Sequence, residues 1–186
     1  MVNIALCVSK VILYVFTQSS LILTDAVDSL LNSAVLTLNL YHPALTPLVN
    51  YSAIASYRIA YIFVSIDALV NKSSLEDPEI LLIASCSMIG AGILLMVAQV
   101  FSKEFSNKKM VIIATINDNS STLGAIVSSS VGFGTGDLQL AGIIDNSLNL
   151  AICLLFALFS VFKIIQFVIK DLESSSAVEE DSAQVS

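Results

Sequence analysis

The chain has 186 residues, of which 56% are apolar and 12% are charged, and its formal net charge is −7. A soluble domain carries roughly a quarter charged residues, so this composition excludes an ordinary soluble globule, a disordered chain and a nucleic-acid-binding protein. It predicts an integral membrane protein. The cysteines Cys7, Cys86 and Cys153 lie far apart in apolar stretches, without the spacing of a disulfide framework or a thiolate metal site.

Six apolar stretches follow one another along the chain, each close to the ~20 residues that a helix needs to cross a bilayer. We predict membrane helices at about 3–19, 20–40, 51–70, 79–101, 110–131 and 140–169. The polar break between the first two is only four residues long, 17–20, so a single long segment or a cleaved signal peptide is the alternative to a separate first membrane helix. Lys10 interrupts the first stretch, whereas a signal peptide needs an unbroken apolar run, which favours the helix.

Proline, glycine and charged residues mark the breaks between these stretches. Pro43 ends the second helix, and Pro78, preceded by two acidic residues, opens the fourth. The glycines at 132, 134 and 136 predict the turn between the fifth and sixth helices. After Lys170 the chain is rich in serine and acidic residues, so residues 171–186 are predicted to form a disordered cytosolic tail.

Lysines set the predicted orientation, because short loops that carry Lys and Arg stay in the cytosol. The loop at 102–109 carries Lys103, Lys108 and Lys109, and Lys170 follows the last helix. With six helices these positions share a side with both ends of the chain. Both termini are therefore predicted to be cytosolic.

Five aspartates fall inside the predicted spans, and each costs about 3 kcal/mol in hydrocarbon on insertion scales. They are Asp25, Asp28, Asp67, Asp118 and Asp145. Helical spacing puts Asp25, Asp28 and Asn32 in one stripe, which is expected to face the bundle interior. Asp118 is followed by three hydroxyl residues at 120–122. Two such helices facing each other could share a divalent cation through oxygen ligands.

The same carboxylates also fit a purely structural role. They could be protonated, or paired with Lys10 and Arg58, and only hold the helices together. Asp67 lies near the outer end of the third helix and fits an interfacial position, and Asp145 could cap the sixth helix or face the outer vestibule. No nucleophile and base come together in the sequence, so an enzyme is not expected.

Short motifs along the chain resemble the cation diffusion facilitator superfamily. They are DAVDSLLN at 25–32, Tyr57-Arg58 in the third helix, ATIND at 114–118 and GIIDNS at 142–147. Within the superfamily they are most similar to the transmembrane protein 163 family, which lacks the long cytosolic metal-binding domain. The resemblance implies an all-α, six-helix transmembrane bundle of cation diffusion facilitator type over residues 1–170, without a cytosolic metal-binding domain.

The resemblance also implies a metal site between the second and fifth helices. The positions that match the family's ligands are Asp28, Asn32 and Asp118. Asn32 stands where an acidic ligand is expected, and Ala114 stands where the wider family often has His or Asp. The site therefore loses one anion and one ligand, for which Asp25, one turn before Asp28, could compensate.

The function implied is transport of Zn2+, or of another divalent cation, out of the cytosol in exchange for protons, because carboxylates must release protons before they bind metal. The metal is cargo, and no organic cofactor is expected. The expected partners are the lipid bilayer and a second subunit, forming a homodimer or a heterodimer with a related cation transporter. The expected location is a vesicle, endosomal or lysosomal membrane, the plasma membrane, or both.

Two other functions remain open from the sequence. Asn32 and Ala114 favour a transport-incompetent partner or scaffold that dimerises with active cation transporters. The third interpretation is an unrelated structural membrane protein whose buried acids serve helix packing.

Overall fold

The structure is a computed structural model that describes the backbone at residues 2–42, 44–101 and 108–184. Within these ranges the structure does not describe the side chains of residues 2, 3, 36, 95, 96, 99, 100, 108–111, 113–115, 117, 118 and 171–184. The regular structure of the described ranges is entirely helical, which confirms the predicted all-α class.

Six helices make up this described part of the chain. They are α1 (Val2–Thr17), α2 (Ser20–Tyr41), α3 (Thr46–Val70), α4 (Pro78–Phe101), α5 (Lys108–Thr135) and α6 (Leu138–Gln184). Each falls on one of the six apolar stretches of the sequence. α6 continues beyond the end predicted at 169, but the side chains of the predicted tail lie outside the described residues, so its disorder stays a prediction.

The turn between α5 and α6 is shorter than predicted. Gly132 and Gly134 lie inside α5, so the prediction that they belong to the turn is wrong, and Gly136, with a φ of 70°, makes the turn. Gly132 serves packing instead. A Cβ at this position would lie 3.0 Å from the side chains of both Ala141 and Pro78, so a residue without a side chain lets α5 approach its neighbours.

Three helices in the described part are long and apolar enough to cross a membrane. They are α2, α3 and the Leu138–Lys170 part of α6. Shorter apolar helices occur at Ile4–Thr17 and Pro78–Leu94. With a rise of about 1.5 Å per residue, the 16 residues of α1 reach about 24 Å, which is somewhat less than a hydrocarbon core of about 30 Å.

Polar and apolar side chains are distributed in the way a lipid environment requires. Large apolar side chains such as Phe63, Leu94 and Leu158 stand on the outer surface, whereas Lys10 and Arg58 are buried inside. A bundle in water would place these two classes the other way round. The membrane-like helical character predicted from composition is therefore present in the fold.

Three helix connections, those that follow α1, α3 and α5, meet at one end of the bundle, and we call the α3–α4 connection at residues 71–77 the strap. Leu75 donates its N–H to the Leu138 carbonyl (3.0 Å), and Glu76 donates to the Thr17 carbonyl (2.9 Å). Leu75 is 1% exposed and joins a buried apolar cluster, whose other members are Leu13, Leu21, Ile22, Leu81, Ala125 and Ala141. The strap thus ties the α1–α2 turn to the start of α6.

Helix packing brings α2 into the middle of the polar interior. α1 packs on α2, α3 on α6 and α4 on α5, and α2 also contacts α3, α5 and α6. Its polar stripe is therefore surrounded by other helices.

Candidate functional site

The carboxylates of α2 lie where the sequence pattern places them, inside the bundle. Asp25 is 0% exposed and Asp28 is 1% exposed, and the Asn32 side chain on the same stripe is half-buried. Asp118 belongs to α5, but its side chain lies outside the described residues. Asp67 is exposed near the end of α3.

Asp25 forms a buried ion pair with Lys10 of α1. The Lys10 Nζ lies 2.8 Å from Asp25 Oδ1 and donates to Ser29 Oγ at 2.6 Å. It also lies 3.4 Å from the Asp25 backbone carbonyl. The hydroxyl of Thr122 on α5 donates to Asp25 Oδ2. One carboxylate therefore connects α1, α2 and α5.

Asp28 forms the second buried ion pair, with Arg58 of α3. The guanidinium Nη2 lies 2.6 Å from Asp28 Oδ2, and Nη1 lies 3.4 Å from Ser121 Oγ on α5. The guanidinium also lies over the rings of Tyr57, 5.1 Å away, and Phe156, 5.3 Å away. Stacking on aromatic faces stabilises a desolvated guanidinium.

The polar interior continues from Arg58 along α6. Arg58 Nη1 lies 3.6 Å from the Sγ of Cys153, and Cys153 in turn lies 3.7 Å from Asn149 Oδ1. Asn149 donates from Nδ2 to Ser65 Oγ of α3 at 3.0 Å. Contacts between polar side chains thus join α3 to α6, whereas the Arg58–Asp28 ion pair joins α3 to α2.

The two ion pairs balance their charges. Asp25 and Asp28 carry two negative charges, and Lys10 and Arg58 carry two positive charges, so the four groups together are neutral. Burying this many charges is costly, and removing one member of a buried pair leaves an uncompensated charge that costs still more. In the structure Lys10 pairs with Asp25 and Arg58 pairs with Asp28. This pairing was one of the alternatives that the sequence left open.

Asp145 forms a second polar centre, near the strap end of the bundle. Its Oδ1 accepts from Ser19 Oγ (2.8 Å) and Ser128 Oγ (2.9 Å), and its Oδ2 accepts from Ser20 Oγ (3.0 Å) and the Leu21 N–H (3.3 Å). It lies within α6 and is 1% exposed. The expectation that it caps α6 or faces a vestibule is therefore wrong.

The residues that hold Asp145 could not be recognised from the sequence. In the sequence, Ser19 and Ser20 indicate only a polar break between two helices, and Ser128 is one of many small residues in the fifth apolar stretch. A signal was present in Ser19, which is the N-cap of α2 and accepts from the Ile22 N–H. A helix N-terminus carries a partial positive charge and attracts a carboxylate.

The described side chains offer oxygen ligands on α2 and hydroxyl groups on α5, but they do not gather into a larger cluster of metal-binding groups. Among these residues, no three His, Cys, Asp or Glu side chains come together where they could hold one metal ion. The side chain of Asp118, the α5 ligand implied by the resemblance, lies outside the described residues. No model of a known protein family matches the chain, and no curated protein matches it.

Proposed function

We propose that this chain is a multi-pass membrane protein in which all six helices cross the bilayer and both termini lie in the cytosol. The polar interior and the apolar outer surface support this arrangement. The strap and the two helix connections that it contacts lie at the same end of the bundle, which also supports this arrangement, because consecutive helices then run in opposite directions.

We further propose that the protein moves a divalent cation, with zinc as the first candidate, out of the cytosol through the contact between α2 and α5. The observation that carries this proposal is the pair of buried carboxylates on α2 whose ion pairs reach hydroxyl groups of α5. Thr122 contacts Asp25 directly, and Ser121 contacts the guanidinium that binds Asp28. Asn32 and Asp118 would complete the set of oxygen ligands.

In this mechanism Lys10 and Arg58 act as tethered counter-ions. When no cargo is bound, they neutralise Asp25 and Asp28, so the empty site can remain in the membrane without an uncompensated charge. A divalent cation that binds these carboxylates must displace at least one of the two basic side chains. The same carboxylates can also take up protons, which supports exchange of the cation against protons.

Zinc flux into proteoliposomes that contain the purified protein tests the proposal. Asp28→Asn keeps the shape of the side chain and removes its charge, and is expected to lower the flux about tenfold or more. Because Arg58 then lacks its partner, the double variant Asp28→Asn with Arg58→Gln restores neutrality and separates loss of a ligand from loss of folding. It is also expected to be inactive.

Asp67→Asn is the matched control, since the same change is made at an exposed carboxylate of α3. It is expected to transport at the rate of the unmodified chain. Unchanged flux in the Asp28 variants, or no flux from the correctly inserted unmodified protein, would overturn the transport proposal.

A second candidate function is a transport-incompetent subunit that pairs with related cation transporters. The specific observation in its favour is that Lys10 and Arg58 already bind the two candidate carboxylates of α2, Asp25 and Asp28. In this case the protein shows no flux on its own, co-purifies with a related transporter and retains that association in Asp28→Asn. Loss of the association in the folded double variant would count against it.

A further inference from the structure

Asp145 differs from the other buried carboxylates in the kind of groups that hold it. Asp25 and Asp28 each have a basic partner, whereas the contacts found for Asp145 among the described residues come from three serine hydroxyls and one backbone N–H. An ionised carboxylate without a basic partner is costly inside an apolar bundle. Uptake of a proton removes that cost.

Among the residues whose side chains are described, no charged group on the surrounding elements supplies a counter-ion for Asp145. Lys10 of α1 and Asp25 of α2 bind each other. On the strap, the side chains of Lys72 and Glu76 are exposed, and Glu76 contacts the end of α1 through its backbone N–H. The described part of α5 beside Asp145 carries serine and threonine, and Asp67 of α3 is exposed.

The hydroxyl groups around Asp145 fit both of its protonation states. When Asp145 is ionised, each serine hydroxyl donates a hydrogen bond to the carboxylate. When Asp145 is protonated, one serine must accept a hydrogen bond from it and donate its own hydroxyl hydrogen to another acceptor. Ser128 can do this, because its Oγ lies 3.2 Å from the Ala125 carbonyl as well as 2.9 Å from Asp145. Backbone N–H or guanidinium groups in the same positions could only donate, and could not accept a hydrogen bond from the protonated acid.

We propose that Asp145 is a proton-binding site, separate from the carboxylates of α2 and exchanging its proton with water at the strap end of the bundle. Binding forms one O–H bond on the carboxylate and converts a hydronium ion to water, and release reverses this step. The site does not depend on zinc transport, because it rests on Asp145 and its serine neighbours alone.

Infrared difference spectroscopy of the reconstituted protein tests this site directly. A protonated carboxyl group has a C=O stretching band that the carboxylate lacks. We expect the intensity of this band to fall as the pH is raised from about 5 to about 9, because the carboxyl group then ionises. This range includes documented titrations of buried carboxyl groups. Asp145→Asn is expected to abolish the band, and Asp67→Asn is expected to leave it in place.

A second variant keeps the test valid if Asp145→Asn fails to fold. Ser128→Ala removes one hydroxyl and leaves the carboxyl group, so the band should remain while its pH midpoint moves by on the order of one pH unit. A band that persists in folded Asp145→Asn, or a midpoint that Ser128→Ala leaves unchanged, overturns the proposal. Because the readout needs no zinc, it separates failure of this site from failure of the transport function.

Discussion

Two basic side chains, Lys10 and Arg58, are suited to the different surroundings in which they are buried. An ammonium is a compact charge with three donors, and Lys10 reaches two oxygens of Asp25 and the hydroxyl of Ser29. A guanidinium is planar, and Arg58 lies over two aromatic rings while it binds Asp28. The Lys10–Asp25 pair therefore holds α1 against α2, and the Arg58–Asp28 pair holds α3 against α2.

The first prediction concerns the Lys10–Asp25 pair. Lys10→Met leaves the Asp25 carboxylate buried without a basic partner, and should lower the free energy of unfolding by about 3–5 kcal/mol. Adding Asp25→Asn removes the remaining charge, so the double variant should recover most of this loss. Denaturant unfolding in detergent micelles measures both.

The exposed Lys170 provides the control for this cycle. Lys170→Met should change the free energy of unfolding by less than about 0.5 kcal/mol, as is usual for surface substitutions. A double variant as unstable as Lys10→Met alone would show that the pair does not explain the effect of the single change.

At the scale of the element, the strap depends on backbone conformations that few residues adopt. Two residues beyond the end of α3, Lys72 has a φ of 52°, and Lys72 and Ser73 donate their N–H groups to the carbonyls of Leu69 and Ala68, respectively. This is the hydrogen-bond pattern of a Schellman motif, in which glycine usually occupies the left-handed position. The strap then lies against α6 at Gly142, where a Cβ would overlap with the Ser73 carbonyl oxygen.

The second prediction therefore concerns Gly142. Gly142→Ala should displace the strap and lower the free energy of unfolding by about 1–3 kcal/mol, the usual cost of overpacking. Gly134→Ala is the matched control, because a Cβ at position 134 meets no atom within 4 Å. Thermal unfolding of the two variants compares them, and equal stability would contradict the proposed role of this contact.

The helices were more predictable from the sequence than the contacts between them. Apolar length located all six, and Pro43 and Pro78 marked real boundaries, because proline restricts the backbone locally. The helical spacing of Asp25 and Asp28 likewise indicated an inward stripe. The hydrogen-bond partners of Asp145 were not predictable. Ser19 and Asp145 are 126 positions apart, and only the packing of α2 against α6 brings them together.

At the scale of the whole molecule, the number of membrane crossings is the property that most constrains function. α2, α3 and the first part of α6 are each apolar and long enough to cross alone, whereas α1 is short and α5 carries hydroxyl residues along its buried side. Such helices can still cross a bilayer when their polar groups face other helices. The ion pairs and hydroxyl contacts of α2 with α1 and α5 supply this condition.

The third prediction separates six crossings from three. If only α2, α3 and α6 cross, Ile4 and Phe101 lie on the side of Lys72; if all six cross, they lie on the side of His42. Single cysteines at these four positions, in a chain whose native cysteines are replaced, can be labelled with a membrane-impermeant thiol reagent. We expect labelling of Lys72→Cys from the outer or luminal side, and of His42→Cys, Ile4→Cys and Phe101→Cys from the cytosol. Labelling of Phe101→Cys together with Lys72→Cys would place α4 and α5 outside the bilayer, and Asp118 with them. A transport site between α2 and α5 could not then exist within the membrane.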